Sequence, residues 1–518
     1  MAVSARPVAA SAAFVSSVGT WHAPLVASVR VSLLTNAQRR MEAESYLTDG
    51  YGVRLAIEAK PSGWVRFSKL ASAIAPPRIK QILVSPEHGV PYLNTSQVFD
   101  VHPKPRKWLA MGKTTKAEER LVKEGTILVM ASATVGRAIV ATKAHENAII
   151  SHHFMRVSPA QEKLAGWVYA FLRSPQAMSM IKGSQYASVI RHIEPHHLAM
   201  LPVPEVSKEI AADFQKKVAE ILSCRDNAAR LRDSAETAFA DAIGPVVSAD
   251  KEEGFAIRLS TAVGGRRRFE AAYHTPLVRA IIRSFKKWDR LSDVTQRVWW
   301  PNRFKRLYGD SGTPYMSADD IFTTNPYALK SVLVEGKKDR DEFVIEPNWI
   351  VMARSGQTYG LNGSATLVTD YHKGFFLSDD MIRIIPDTTK IRPGYLLTAL
   401  THPTLGRPLV IREAYGMSIP HLDPTDIAEF PVARLSMTIE NKIADLAEEA
   451  ALEQATAEAL ERKLAEDAGN VVSEFLLRSS EDATDAAIAA QRLVEIDAHP
   501  ENLVQGKALR ARLARVKT

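Results

Sequence analysis

Gly89-Val90-Pro91-Tyr92-Leu93, closing in Val98-Phe99, returns as Gly312-Thr313-Pro314-Tyr315-Met316, closing in Ile321-Phe322. The displacement is 223 residues, and the flanking segments repeat at nearly the same distance. Upstream, Arg30-Val31-Ser32 returns as Arg258-Leu259-Ser260, and Arg39-Arg40-Met41-Glu42-Ala43 as Arg267-Arg268-Phe269-Glu270-Ala271. Downstream, Val129-Met130-Ala131 matches Val351-Met352-Ala353. Ser151 with Phe154-Met155-Arg156-Val157 matches Ser378 with Met381-Ile382-Arg383-Ile384. Gly166 to Pro175 matches Gly394 to Pro403, and His192-Ile193-Glu194-Pro195 matches His421-Leu422-Asp423-Pro424. Pro202-Val203 matches Pro431-Val432. Ordered matches whose displacement drifts only between 222 and 229 mark a tandem duplication.

Each copy opens with short β-type runs, such as Thr126-Ile127-Leu128-Val129-Met130 and Trp349-Ile350-Val351-Met352, bounded by glycines and polar clusters. Each then ends in a long helical pattern. In the first, Phe214, Val218, Ile221, Ala228, Leu231, Ala235 and Ala238 keep a helical seam. In the second the seam is Ile439, Ile443, Leu446, Ala450, Ala457, Leu460, Leu464 and Val471. Prolines 202, 204 and 431 stand just upstream, and Gly244-Pro245 stops the first helix. The pattern predicts an α/β (α+β) chain with two tandem globular domains, each followed by a long helix. The expected segments are an N-terminal extension over 1–27, domains over 28–205 and 256–433, and helices over 206–243 and 434–477. A linker over 244–255 and a helical tail over 478–518 complete the chain. The two seams are expected to pair as an antiparallel coiled coil, a rod of roughly 50 Å at 1.5 Å per residue. The alternative is that each helix packs only on its own domain.

The chain has 518 residues with 66 Lys+Arg, 58 Asp+Glu and a single cysteine, Cys224. One cysteine excludes an intrachain disulfide and any multi-cysteine zinc site, and it suits a reducing cytoplasm. The Ala/Val/Ser run from Pro7 to Gly19 is interrupted by Ser11 and Ser16-Ser17, which argues against a secretory signal. No apolar run is long enough for a membrane span. A net charge of +8 permits a polyanionic partner without demanding one.

The doubled Gly-x-Pro-Tyr-(Leu/Met) motifs carry a family resemblance. So do Gly125-Thr126-Ile127-Leu128-Val129 running to Val135-Gly136-Arg137, and Leu201-Pro202-Val203-Pro204 before a long helix. Over about residues 28–477 the chain resembles the specificity subunit of type I restriction–modification systems. The resemblance implies two target-recognition domains, each reading one half of a bipartite double-stranded DNA target, with the helices setting the gap. It implies two DNA methyltransferase subunits as partners and, in a complete system, ATP-driven restriction subunits. S-adenosylmethionine and ATP would then belong to those partners, and this chain would carry no cofactor and no catalytic residue. The other reading is a non-catalytic scaffold of a defence complex that binds protein partners.

Motifs for chemistry in the chain itself are incomplete. Thr324-Asn325-Pro326-Tyr327 lacks the second proline of an amino-methyltransferase motif. Gly112-Lys113-Thr114-Thr115 lacks the first glycine of a P-loop, where Lys107 stands. Glu335-Gly336-Lys337 has no preceding Pro-Asp of a nuclease site. His152-His153 and His196-His197, read as strand neighbours, would face opposite ways, so no metal is expected. Candidate DNA contacts are the basic residues near aromatics. In the first copy these are Lys104, Arg106, Lys107, Lys113 and Lys116, around Trp108. In the second they are Arg303, Lys305 and Arg306 around Phe304, then Lys337, Lys338 and Arg340. Tyr186, Ser188 and His192, with Tyr415, Ser418 and His421, suit a DNA contact or a shared framework role equally.

Overall fold

The computed structural model describes residues 44–113, 118–186, 190–247, 254–263, 268–326, 329–334 and 339–477. The expected extension over 1–27, the tail over 478–518, and Lys116, Ser188, Lys337 and Lys338 lie outside them. The chain forms two compact units. One runs to Leu222 and resumes at Ala459, and the other runs from Ser223 to Glu458. Each unit therefore takes one globular domain with half of each long helix.

In the first unit the strands are β1 (Trp64–Arg66), β2 (Ala71–Ile74), β3 (Leu83–Val84), β4 (Val90–Leu93) and β5 (Lys107–Leu109). They continue with β6 (Ile127–Met130), β7 (Ala138–Val140), β8 (Ile149–Ile150), β9 (Phe154–Pro159) and β10 (Pro202–Pro204). A central antiparallel sheet has the order β2-β9-β6-β7, and a second sheet has the order β3-β5-β4-β8. Within the second, β4 and β8 run parallel, with Tyr92 opposite Ile149. The central strand β6 reads as an unbroken apolar run because both its faces are covered. Ile127 and Val129 enter the core that holds Trp167, while Leu128 and Met130 enter another with Phe99 and Phe154.

The second unit rebuilds this frame. Its strands are β11 (Trp288–Arg290), β12 (Thr295–Trp299), β13 (Tyr308–Met316), β14 (Lys330–Val332) and β15 (Ile350–Ala353). They end with β16 (Ala365–Leu367), β17 (Phe376–Leu377), β18 (Met381–Pro386) and β19 (Pro431–Ala433). The central order is now β12-β18-β15-β16 and the second sheet is β14-β13-β17. The parallel pair recurs, with Tyr315 opposite Phe376. In β15, Ile350 and Met352 face one core and Val351 and Ala353 another. The Pro-Val segments pair as edge strands, β1 with β10 and β11 with β19, where a missing N–H costs no ladder bond.

The long helices are Lys208–Ile243 and Met437–Leu477. In the first unit Phe214, Val218 and Ile221 share a core with Leu464, Ala468 and Val472. In the second, Ala235 and Phe239 share one with Ile443, Ala444 and Ala447. Early residues of one helix thus meet late residues of the other, and the pairing is antiparallel. Leu231 is buried as the seam requires.

Five expected seam residues are displaced. Ile439 is 37% exposed, and Leu446 and Leu460 are only half-buried. The buried neighbours are Ala447 and Glu461, while Phe239 replaces Ala238 and Val472 replaces Val471. Alanine and glutamate thus fill positions where leucine was expected. The seven-residue gap between Ile221 and Ala228 is filled by buried Arg225. Its Nη2 lies 3.5 Å from Glu458 Oε1, and it donates to Asn325 Oδ1 at 3.3 Å. The Asn325 N–H donates to Glu458 Oε2 at 3.1 Å. Glu461 accepts from the Tyr169 hydroxyl at 2.7 Å and lies 3.4 Å from Arg173. Buried charges in this seam are paired, as low dielectric demands.

Candidate nucleic-acid interface

The loop entering the second sheet is built around one apolar anchor. In the first domain it reads Arg78-Ile79-Lys80-Gln81, and in the second Arg303-Phe304-Lys305-Arg306, a displacement of 225. Ile79 packs on the cluster of Tyr92, Leu109 and Ile149, and Phe304 on that of Tyr315, Phe343 and Phe376. With the anchor turned in, the residues on either side turn out. Arg78, Lys80, Arg303 and Lys305 are exposed. The fourth position faces back. Gln81 Nε2 donates to the Tyr92 hydroxyl at 3.1 Å, and Arg306 Nε donates to the Tyr315 hydroxyl at 3.0 Å. Arg306 also pairs with buried Asp379, so its charge is committed inside the domain.

Of the other basic candidates, Lys107 begins the strand beside this loop. Lys107 stands opposite Tyr92 in β5. Lys330 stands opposite Tyr315 in β14, its Nζ 4.8 Å from the Tyr308 ring. Lys104, Arg106, Lys107 and Lys113 are exposed, and the Lys104 carbonyl accepts from Gln97 Nε2 at 2.6 Å. Arg340 is exposed at the start of the turn Arg340–Glu342. Within each domain the strand register places these cations next to the loop: β3, which follows Lys80, lies against β5.

Three further segments converge beside the loop. The turn after the parallel strand pair reads Ser151-His152-His153 in the first domain and Ser378-Asp379-Asp380 in the second. The residue just past the central strand is Ala131 or Arg354, the next is Ser132 or Ser355, and a closing hairpin supplies His192 or His421 beside that serine. In the first domain Ser132 Oγ lies 2.6 Å from His153 Nδ1. Burial holds both His152 and His153 below the usual imidazole range. His153 and Arg78 add to the effect on His152, and His192 and Arg78 to that on His153. These histidines occupy a turn rather than a strand. Their rings therefore lie together, centroids 4.1 Å apart, and do not face opposite ways. His196 and His197 also stack, at 3.9 Å, on the short helix Pro195–Ala199. Among the described residues no group of three His, Cys, Asp or Glu is placed to hold a metal ion.

In the second domain Arg354 is buried, its guanidinium 4.1 Å over the Trp300 ring. It lies 3.6 Å from Asp380 and 3.4 Å from His421 Nδ1, while its Nε has no hydrogen-bond partner among the described residues. Buried Arg383 braces the turn from beneath, donating to the carbonyls of Leu377, Ser378 and Met381. Tyr186 and Tyr415 close the hairpins through paired backbone bonds with His192 and His421. The Tyr186 hydroxyl is spent on Glu194 at 2.8 Å. The second hairpin tip carries Met417, 98% exposed, with its Ser418 carbonyl held by Gln357. Sequence reasoning missed Arg78, Lys80, Lys330, Arg354 and Asp380. The displacement of 225 applied backward from Arg303 and Lys305 reaches Arg78 and Lys80, and 223 applied forward from Lys107 reaches Lys330. The displacement of 227 that carries Ser151 to Ser378 also carries His153 to Asp380, whereas Arg354 has no such signal, because Ala131 stands in its place.

No family model matches the chain, and no curated protein matches it. Solved structures do. The chain is similar to type I restriction–modification specificity subunits. The S subunit from M. genitalium is 14% identical, with 80% of this chain and 94% of that one covered at a TM-score of 0.33. The HsdS subunit from Thermoanaerobacter tengcongensis is 13% identical, with 80% and 97% covered at a TM-score of 0.23. A structure described as the structural basis of complex assembly and conformational transition of the type I R-M system is 15% identical, covering 80% and 98% at 0.24. TM-scores of this size leave function to be argued from the chain's own residues. No helix among the described residues is long and apolar enough to cross a membrane.

Proposed function

We propose that the chain is a non-catalytic, sequence-specific DNA-binding subunit that reads a bipartite duplex with its two domains. One observation carries this reading. Four segments converge in both domains, yet their chemistry differs: Ala131, His152 and His153 in one, Arg354, Asp379 and Asp380 in the other. Duplicated domains that kept one common ligand would have no reason to diverge there while keeping the frame. Exposed Arg78 and Lys80, or Arg303 and Lys305, flank each locus and suit phosphate contacts that position a reader. The paired long helices would set the gap between half-sites. On this reading the chain directs two methyltransferase subunits, with restriction subunits in a complete cytoplasmic system, and S-adenosylmethionine and ATP stay on those partners.

Selection from random duplexes tests this directly. The full chain, co-expressed with the other products of its locus, should enrich two defined stretches separated by an undefined gap of fixed length. Exchanging one globular domain for that of a relative should alter one stretch only. A single contiguous motif, or simultaneous loss of both stretches in a folded chimera, would refute two independent readers.

A further inference from the structure

Asp380 is a carboxylate beside the loop that carries exposed Arg303 and Lys305. Its side chain is 31% exposed, and the inward contacts are Arg354 at 3.6 Å and the Ser355 hydroxyl. The neighbouring Asp379 is buried and spent on Arg306, so Asp380 alone of the pair presents an acceptor outward. A phosphate oxygen repels a carboxylate, so Asp380 cannot help to hold the DNA backbone. A base edge is different. Cytosine and adenine present exocyclic amino donors in the major groove, whereas guanine O6 and thymine O4 are acceptors.

The surroundings make this acceptor rigid. The Arg354 N–H donates to the Asp380 carbonyl at 3.2 Å, and the Asp380 N–H donates to Ser378 Oγ at 3.2 Å. The Arg354 guanidinium is fixed between Trp300, His421 and the carboxylate itself. In the first domain the frame is retained, with Ser132 matching Ser355, but His153 stands where Asp380 does and Ala131 where Arg354 does. A neutral imidazole admits base edges that a carboxylate excludes.

We propose, resting on the DNA-reading function above, that this position is the specificity-determining contact of each domain. In the second domain Asp380 accepts a hydrogen bond from the exocyclic amino group of a cytosine or adenine and rejects guanine and thymine there. Arg354 acts through it as a positioning residue.

The test begins with both half-sites defined by duplex selection on the full chain, co-expressed with the other products of its locus. Amino-free analogues, purine for adenine and 2-pyrimidinone for cytosine, then replace each base of the second domain's half-site in turn. One position should cost the unaltered protein roughly 5- to 150-fold in affinity, the range of one base contact. Asp380→Asn should lose discrimination at that base pair only, leaving the first domain's half-site unchanged. The analogue scan needs no variant, so it decides even if Asp380→Asn fails to fold. If no amino-free analogue weakens binding, or folded Asp380→Asn keeps full discrimination, Asp380 is not the reader although the DNA-reading function stands. If selection yields no sequence preference at all, the function and this inference fail together.

Discussion

Arg303 and Arg306 sit three residues apart in one basic cluster, yet the fold gives them different tasks. Arg303, Lys305 and Arg306 are all exposed, but Arg306 is held by Tyr315 and Asp379. Composition could not separate them; the anchoring phenylalanine does. Neutralising Arg78 and Lys80, or Arg303 and Lys305, to glutamine should therefore lower the salt slope of DNA binding by up to about 0.9 for each phosphate that is no longer neutralised. An unchanged slope and affinity would leave them merely solvated. Arg306→Gln copies the Gln81 arrangement and should leave the slope alone, showing its cost instead as lower stability from the unpaired Asp379. A second residue-scale effect is acid sensitivity. Thr142 and His145 in the first domain recur as Thr369 and His372, each threonine N–H donating to the imidazole Nδ1 at 3.1 Å. Burial pushes His372 down to about 4. As pH falls, the unfolded chain takes up this proton near about 6.5, while the folded chain does so only near 4. Stability is thus full above the unfolded value and is lost between the two, by on the order of 3 kcal/mol. Urea midpoints at about pH 7 and about pH 5 should converge in His372→Asn. An undiminished difference would place the acid sensitivity elsewhere.

At the scale of elements, the helical seam was legible in period but not in composition. Of the residues the heptad spacing expects in the seam, Phe214, Val218, Ile221, Leu231, Ile443 and Leu464 are buried. Choosing the larger apolar residue failed at Leu446, which is half-buried beside buried Ala447. Gaps in an apolar pattern also hid the polar pair, since nothing in the spacing shows that Arg225 would meet Glu458. Breaking this pair should be costly. Arg225→Met leaves a buried carboxylate, and Glu458→Leu leaves a buried guanidinium, each a loss of about 3–5 kcal/mol. The double variant should recover much of that, but not all, because the Asn325 N–H then has no acceptor. Unfolding of the four proteins in a double-mutant cycle measures the coupling. Additive losses would mean the pair contributes nothing as a pair.

For the molecule as a whole, the duplication made the frame legible before any coordinates. Strand after strand recurs at the displacements read from the sequence, including the parallel pairs Tyr92–Ile149 and Tyr315–Phe376. The reading loci were legible only where the copies agree. Where they differ, as Ala131 against Arg354, only the strand register shows that the residues hold the same place. The central claim is that two different readers are held at a fixed separation by the paired helices. Its most direct test lengthens both helices by one heptad, after Ser223 and after Ala459. These points keep Arg225, Glu458 and Asn325 together, and leave Glu461 with Tyr169. Seven residues add about 10 Å along the helix, which corresponds to about three base pairs. Binding is measured on duplexes whose gap varies one pair at a time. The account predicts that the extended protein keeps both half-site sequences and prefers a gap longer by about three pairs. A folded, extended protein that retained the original gap preference would contradict it.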